Sequence, residues 1–546
     1  MSKIKIFALG GLDEDGKNTY CIDINNNIFI FDCGLKYANE NLYGIDYITA
    51  DFSYLEKNKK RIKGVFITHG HYENMGAVKD LVNTIKNIRI FATKYTKKIL
   101  IFDGVNEDNI YEIIPHKKLV FGDISIFPIN VNHSCPDAVM FVINTPDGAI
   151  CYTGDFLIDP AMSGNFDMDL GRIAYVGKQG VLALLSESPF SEKNGFTSPN
   201  HRLKEFFKDT INRNKERIIF LVLPSNIYAL QEILDGVVNT HRKVLLMGKK
   251  LQYVLKMGKE EGYLTYDDNI IGDLSNVNDA DSIIIVSDER DNQYGSISKI
   301  LNGYDKFIKL KNTDTIVFAE PKYDSTEKVL VKVQNDLAEA GCNIINIPKD
   351  KTLLYHASSE DLLLMLKLLN PKYYIPVRGE YRYMVNNANL VNSIGFSAEN
   401  IILKQNGDVI EIEDGNLLDT YEHIKVNDIL IDGNSSDDVG DLVIKDRQML
   451  SENGIVLISA TIDKNNKKIL VEPKITTRGF IYVKDSAEMI KEIQNISLEV
   501  IERNITSNYV DFNNIKNEIR EDLGRYLYQE TECKPMIIAV IQEVEV

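Results

Sequence analysis

The residues best able to do chemistry gather in a few short stretches. "THGHYENMGA", residues 68–77, sets His69 and His71 one residue apart and follows them with Glu73 and Asn74. A His-x-His pair at a strand end aims two imidazoles at one cation, and zinc takes about four nitrogen, oxygen or sulfur ligands. His133 in "VNHSCPD" and Asp155 in "YTGDF" complete such a set, with Asp155 placed to bridge toward a second ion. A two-metal hydrolase wants His-x-His-x-Asp-His here; this chain has His-x-His-x-Glu-Asn. Of eight histidines, three fall at predicted strand ends and a fourth, His356, precedes a predicted helix. Any one of them alone reads more readily as an ordinary core or surface histidine; together they indicate a site.

The elements that must carry these residues are short apolar runs bounded by turns. "NIFIFDCG", "KGVFITHG", "ISIFPINVNHS" and "GAICYTGD" each predict a buried strand. They deliver Asp32, His69, His133 and Asp155 at their ends, on one edge of a sheet. Helical patterns such as "GAVKDLVNTI" lie between, so residues 1–200 predict a layered αβ domain.

From 201 to 349 the pattern becomes strand–helix alternation, "RIIFLVLP", "ALQEILDGVV", "KVLLMG", "DSIIIVSD" and "DTIVFAEP", which predicts a second α/β unit. In "DSTEKVLVKVQNDLAEAG" Asp324 and Glu327 form a capping-box pattern, Leu330, Val333 and Leu337 share a face, and Gly341 ends the helix. Residues 350–429 return to a helix, "SSEDLLLMLKLLNP", stopped before Pro371, and a strand, "KYYIPV", that delivers Arg378. Residues 430–441, "LIDGNSSDDVGD", are the linker candidate. The remaining 442–546 predict a small α+β domain: a hairpin around Asn465-Asn466, a helix from Asp485, a second with Ile515, Ile519, Leu523 and Leu527 on one stripe, and "PMIIAVIQEV" closing the sheet. Its expected role is oligomerisation or plain packing.

Composition narrows the function classes. The net charge of −17 argues against broad electrostatic wrapping of nucleic acid, while leaving room for a local basic channel. No apolar run reaches the ~18 residues of a membrane span. "MSKIKIFALGG" lacks the apolar core of a signal peptide. The six cysteines are scattered, with no Cys-x-x-Cys, as in a reduced, cytoplasmic protein. No membrane partner is expected.

At this level of detail the chain resembles the ribonuclease J family of metallo-β-lactamase/β-CASP ribonucleases. Collinear stretches carry the resemblance over essentially the whole length: "ALGG…GKNTY", "GLKYANENLYGIDY", "FITHGH", "VNHSCPDAV", "YTGDF", "PKYYIPVRGEYR", "VGDLVIKDRQMLSENGI", "RGFIYVKDS" and "KPMIIAVI". The resemblance implies an α/β fold: a metallo-β-lactamase αββα sandwich, an inserted β-CASP domain and a C-terminal α+β dimerising domain. It also implies 5′→3′ exonucleolytic and endonucleolytic cleavage of RNA with two zinc ions, in bacterial mRNA decay and rRNA maturation.

Residue by residue, Asp32, His69, His71, His133 and Asp155 match the family pattern, and other positions depart from it. Glu73 stands for an aspartate that would bind the second metal; it keeps the charge but reaches one bond farther. Asn74 stands for a histidine ligand, and an amide oxygen is a weak donor to zinc. Arg378 stands for the last histidine ligand. A guanidinium stays protonated and has no lone pair to offer; at ~5 Å and an effective dielectric near ~20, a +1/+2 contact costs on the order of 6 kcal/mol. Arg378 is therefore expected either to fill the second-metal space, paired with Asp155 or Glu73, or to swing out to solvent. Glu187 stands for an aspartate, and Tyr228 for a histidine. His356 matches a catalytic-site histidine. Before it, a His-Val-Ser-Gly run that helps hold substrate phosphate is Thr352-Leu353-Leu354-Tyr355. "SDERDNQYGS" replaces a phosphate loop and puts Asp288, Glu289 and Asp291 where they would repel phosphate.

The joint change of metal and phosphate pockets is similar to the second, degenerate ribonuclease J paralogue of some bacteria. That likeness implies a weakly active or inactive subunit that binds RNA and an active paralogue, as a homo- or hetero-oligomer through its C-terminal domain, with zero or one zinc on His69, His71, His133 and Asp155. The other reading is a working one-zinc ribonuclease, with Glu73 or Glu187 as base, His356 as acid, and Thr352, Tyr355 and His356 lining an altered substrate pocket.

Overall fold

The structure is a computed structural model. It describes all residues except 1, 39–41, 43, 274, 276, 278, 289–293, 324–325, 434–440, 464, 481–486, 506–510 and 545–546. Glu289, Asp291, Asp324, Asp485 and most of the linker candidate lie outside the described residues.

Alternation along single strands explains the layering. In Asn27–Phe31, Ile28 and Ile30 enter one core cluster while Phe29 and Phe31 enter another. In Val139–Thr145, Phe141 and Ile143 join that second cluster while Met140 and Val142 join a third. Successive side chains point to opposite faces of a strand, so both sheets are buried twice. The shared cluster lies between an eight-stranded sheet and a six-stranded one. The outer clusters hold helices: Val78–Thr84 and Lys94–Phe102 on the first sheet, Leu170–Gln179 and Ser359–Leu369 on the second. This is an αββα sandwich.

The chain leaves the sandwich after Val181–Ser186 and returns at Tyr373–Pro376, which pairs with it in parallel. Between them lies a five-stranded parallel sheet ordered Lys243–Met247, Ser282–Val286, Ile218–Leu221, Thr315–Phe318, Asn343–Asn346. Its central strand sends Ile218 and Phe220 to one cluster and Ile219 and Leu221 to another. Burial on both faces is what a parallel sheet with helical crossovers requires. The Glu327–Glu339 helix buries Leu330, Val333 and Leu337. Back in the sandwich, Ile410–Glu413 pairs antiparallel with Lys3–Gly10 in the eight-stranded sheet.

Two compact units emerge, 1–38 with 46–430, and 39–45 with 431–546. In the second, Ile455–Asp463 is central, antiparallel to Lys468–Arg478 and parallel to Met536–Val544. Its inward Val456, Ile458 and Ile462 pack on Ile493, Val500 and Ile501 of one helix and on Ile515, Ile519, Leu523 and Leu527 of the next. No helix among the described residues is long and apolar enough to cross a membrane.

Candidate metal centre

Each candidate ligand sits just past a strand of the sandwich. Ile62–Phe66 leads to His69 and His71, Ile124–Asn130 to His133, and Gly148–Tyr152 to Asp155. One ligand atom from each of the four lies within 4.8 Å of the others. His69 Nε2 is 3.2 Å from His71 Nδ1, which is 3.1 Å from His133 Nε2. Nitrogens held at ~2.0–2.1 Å around a tetrahedral ion lie about 3.3 Å apart, so the spacing is that of a metal site.

The outer hydrogen bonds fix the tautomers. His133 Nδ1 faces the Tyr355 carbonyl at 3.0 Å, an acceptor only, so it carries the proton and leaves the Nε2 lone pair facing inward. Thr68 Oγ1 reaches both oxygens of Asp32, at 3.0 and 2.9 Å, and so gives its proton to that carboxylate. It then accepts from His69 Nδ1, 3.0 Å away, and the His69 Nε2 lone pair also turns inward. His71 Nε2 has Ser134 Oγ at 3.2 Å. A single proton on His71 Nδ1 could serve only one of its two neighbours. Burial first, and then the neighbouring positive groups, hold the His69 and His133 pKa values well below normal; His71, where burial also dominates, falls to about 4. Lone pairs facing one another in this way could hold a metal cation.

Asp155 is buried, and its two oxygens accept no hydrogen bond from the described residues. Oδ2 faces His69 Nε2 at 3.5 Å and Oδ1 faces Arg378 Nε at 2.8 Å. The second contact is a charge pair without the alignment of an N–H···O bond. Arg378 does not swing out; it is 5% exposed. Its Nη1 donates to His356 Nε2 at 3.3 Å, and His356 Nδ1 lies 2.8 Å from Glu187 Oε2. Asp155, Glu187 and His356 form a second group that could hold an ion. The guanidinium stands against two of its three members, so the residues do not fit a second metal. Burial works against the Arg378 charge, but Asp155, Asp15, Glu187 and Glu73 raise its pKa above the ordinary value.

Backbone conformation aims this arginine. Arg378 has φ 58° and Gly379 φ 92°, left-handed values that cost a non-glycine residue ~1 kcal/mol or more. The loop is pinned by Val377 N–H to the Ser186 carbonyl and by a two-way bridge between Gly379 and Glu14.

The remaining predicted positions serve other contacts. Glu187 Oε1 accepts from Phe156 and Ala357 N–H, and burial pushes its pKa up to about 8. Asn74 Nδ2 donates to Asp32 Oδ2 at 2.8 Å, and its Oδ1 has no partner. Glu73 lies in the first turn of the short helix Tyr72–Met75 and is half-buried. Thr352 Oγ1 accepts from Leu354 N–H. Tyr355 is buried against Leu157 and Met162, with the rings of His201 and Tyr228 at 5.2 and 6.0 Å; aromatic side chains fill this space. Asp288 accepts from Ser296 N–H and Oγ–H.

Several partners carried no sequence signal of their own. Thr68, Ser134 and the Tyr355 carbonyl orient the imidazoles. His201 is fully buried beside Asp159, its Nε2 3.0 Å from Oδ2, and Arg202 Nε donates to the same carboxylate at 2.8 Å. The adjacency of His201 and Arg202 was the only available hint.

Comparison with known proteins places this geometry. Residues 29–170 match the model of the beta-lactamase superfamily domain, 215–337 that of the ribonuclease J beta-CASP domain, and 442–544 that of the ribonuclease J C-terminal domain. The chain is 33% identical to Ribonuclease J2 of Bacillus subtilis, over 99% of each chain. It is 33% identical to Ribonuclease J 1 of Streptococcus pyogenes, over 99% of this chain and 98% of that one, and 30% identical to Ribonuclease J 2 of the same organism over 100% of both. A crystal structure of a protein of unknown function from Enterococcus faecalis shares the fold with a TM-score of 0.52 at 15% identity, covering 75% of this chain and 100% of that one. Full-length similarity, three matching domains and a metal-competent histidine cluster agree: the chain belongs to the ribonuclease J family.

Proposed function

We propose that this chain is a cytoplasmic RNA-processing subunit of bacterial RNA decay and rRNA maturation, whose own hydrolysis is weak or absent and which works beside an active paralogue. In this reading 1–200 and 350–429 form the metallo-β-lactamase domain and 201–349 the β-CASP domain. Residues 430–441 link them to the oligomerising domain 442–546. The observation that carries the proposal is the guanidinium of Arg378, 2.8 Å from Asp155 Oδ1 and 3.3 Å from His356 Nε2.

His69, His71, His133 and Asp155 would hold one zinc. A bound zinc supplies Lewis acidity and makes water a stronger acid. The protein's own groups do the rest. Thr68 and the Tyr355 carbonyl orient two imidazoles. Burial pushes the Asp155 pKa up to about 7, and Arg378 works against that rise; its guanidinium occupies the space beside Asp155 and His356 that a second cation would need. The aromatic packing around Tyr355 supports poor retention of substrate phosphate. In the C-terminal unit, Leu457, Ile538 and Val540 lie on the sheet face turned from the two long helices, with Val540 40% exposed, which supports a partner surface there.

Metal analysis of the purified chain is expected to give at most one zinc. Contaminant-free protein is expected to degrade 5′-monophosphorylated RNA slowly or not at all, and co-purification to recover a paralogue. Two bridged metals beside Arg378, or brisk RNA turnover, would overturn the proposal. The intact histidine set favours one further reading, a one-zinc ribonuclease. Glu187 already spends its oxygens on two amides and His356, which leaves Glu73 as the base. Turnover abolished by His71→Ala would establish it.

A further inference from the structure

A second charged feature lies at the other end of the strand that delivers His69. Ile62–Phe66 begins beside a turn carrying Lys59, Lys60 and Arg61, and Ile90–Ala92 begins just after Lys86 and Arg89. Lys59, Lys60, Lys63, Lys86 and Arg89 line a depression of about 190 Å³ with Ile62, Ile85, Asn87 and Ile88, and no carboxylate lines it. Five cations share one concavity on a chain whose net charge is −17.

Some lysines elsewhere on this unit have a carboxylate partner. Lys94 and Lys98 pair with Glu261, Lys97 with Glu107, and Lys204 with Asp235. Arg61, beside the depression, pairs with Asp23. The four lining lysines have no ion-pair partner among the described residues. Arg89 is positioned by stacking, its guanidinium 5.9 Å from the ring centroids of both Phe91 and Phe121. Like charges gathered without counter-charges raise the free energy of the folded chain unless an anion neutralises them. The volume falls below the ~300 Å³ of a small-molecule site. It admits the phosphates of a chain running across the surface rather than a whole nucleotide.

We propose that this basic depression is a second RNA-backbone contact, separate from the metal pocket and at the opposite end of the sandwich strands. His69 lies seven residues beyond Ile62, or about 23 Å along an extended chain. One RNA can therefore touch both places, or a structured RNA can dock here while an end is handled elsewhere. The choice of RNA rests on the reading of the chain as an RNA-processing subunit; the existence of an anion site rests on the depression alone.

The test uses the full chain and a variant combining Lys59→Gln, Lys60→Gln, Lys63→Gln and Lys86→Gln. Arg89 is left in place because its side chain packs on two rings. Binding of a fluorescein-labelled oligouridylate is followed by anisotropy across a salt series. Each lost single-strand phosphate contact lowers the slope of log affinity against log salt by about 0.7, so the variant's slope is expected to fall by about 3, with binding about tenfold or more weaker at low salt. Slope and affinity unchanged in the variant would overturn this site while leaving the RNA-subunit reading intact. No binding by the unsubstituted chain would overturn both. Polyglutamate competing as well as unlabelled RNA would assign the depression to an acidic protein and overturn the RNA assignment.

Discussion

The two sides of Asp155 solve the same electrostatic problem in opposite ways. On one side, His69, His71 and His133 bring three ring nitrogens within 3.2 Å contacts, and among the described residues no side-chain cation pairs with them. On the other, Glu187 and His356 come with a cation already attached, the guanidinium of Arg378. A buried carboxylate is tolerated only when its charge is answered. An arginine answers it permanently, where a metal does so only when bound. A fixed cation at this position would preserve the folded pocket and exclude a second ion together.

The hardest way to break this comparison is to remove the fixed cation. Arg378→Met leaves Asp155 buried without its partner, and loss of one member of a buried ion pair costs about 3–5 kcal/mol. Thermal or urea unfolding is expected to show that loss. Arg378→His is expected to lose stability in metal-free buffer and to regain part of it with excess zinc, because a ligand that binds only the native state stabilises it. Arg378→Met is expected to regain less. Equal recovery in the two variants would mean that position 378 does not face a metal-competent space.

The opposite side breaks through its central ligand. His71 Nδ1 contacts both other histidine nitrogens, so His71→Ala is expected to bring zinc content by metal analysis close to zero. Its affinity loss is expected to exceed the roughly 10–100-fold of an outer-shell change. Ser134→Ala sharpens the same point. Its hydroxyl lies 3.2 Å from His71 Nε2 and helps hold the ring in place. Zinc affinity by chelator competition is expected to fall about 10–100-fold with stoichiometry unchanged.

Sequence periodicity made most of the strands legible and marked where four candidate ligands lie together. Strands such as Asn27–Phe31 and Val139–Thr145 are continuous apolar runs because both faces are buried, and their ends marked where His69, His133 and Asp155 would meet. Long-range pairing was not legible. Ile410–Glu413 joins Lys3–Gly10 across some four hundred residues, and Met536–Val544 lies parallel to the strand it accompanies; no local pattern encodes either. The orienting groups were also hidden. Thr68, Ser134 and the Tyr355 carbonyl act through single hydrogen bonds, which impose neither spacing nor hydropathy. Arg378 stood at the fork between a buried pair and a solvent-exposed side chain. Only the left-handed backbone at 378 and 379, pinned to Glu14 and Ser186, turns it inward.

Asn74 supplies the smallest and most discriminating test. It lies three residues beyond His71 in the motif where a metal ligand is anticipated, yet its amide donates to Asp32 Oδ2 at 2.8 Å while its own oxygen is buried without a partner among the described residues. Asp32 keeps three other donors, Thr68 N, Thr68 Oγ1 and Tyr152 Oη. Asn74→Ala therefore removes one hydrogen bond to a charged group, worth about 1.5–3 kcal/mol, and relieves one unsatisfied oxygen, worth about 1–3 kcal/mol. The two nearly cancel, so a net change of less than about 1 kcal/mol is expected in urea unfolding. Zinc stoichiometry is expected to be unchanged, the reverse of the His71→Ala result. A fall in bound zinc on Asn74→Ala would make residue 74 a ligand and move the boundary between the two sides of the pocket.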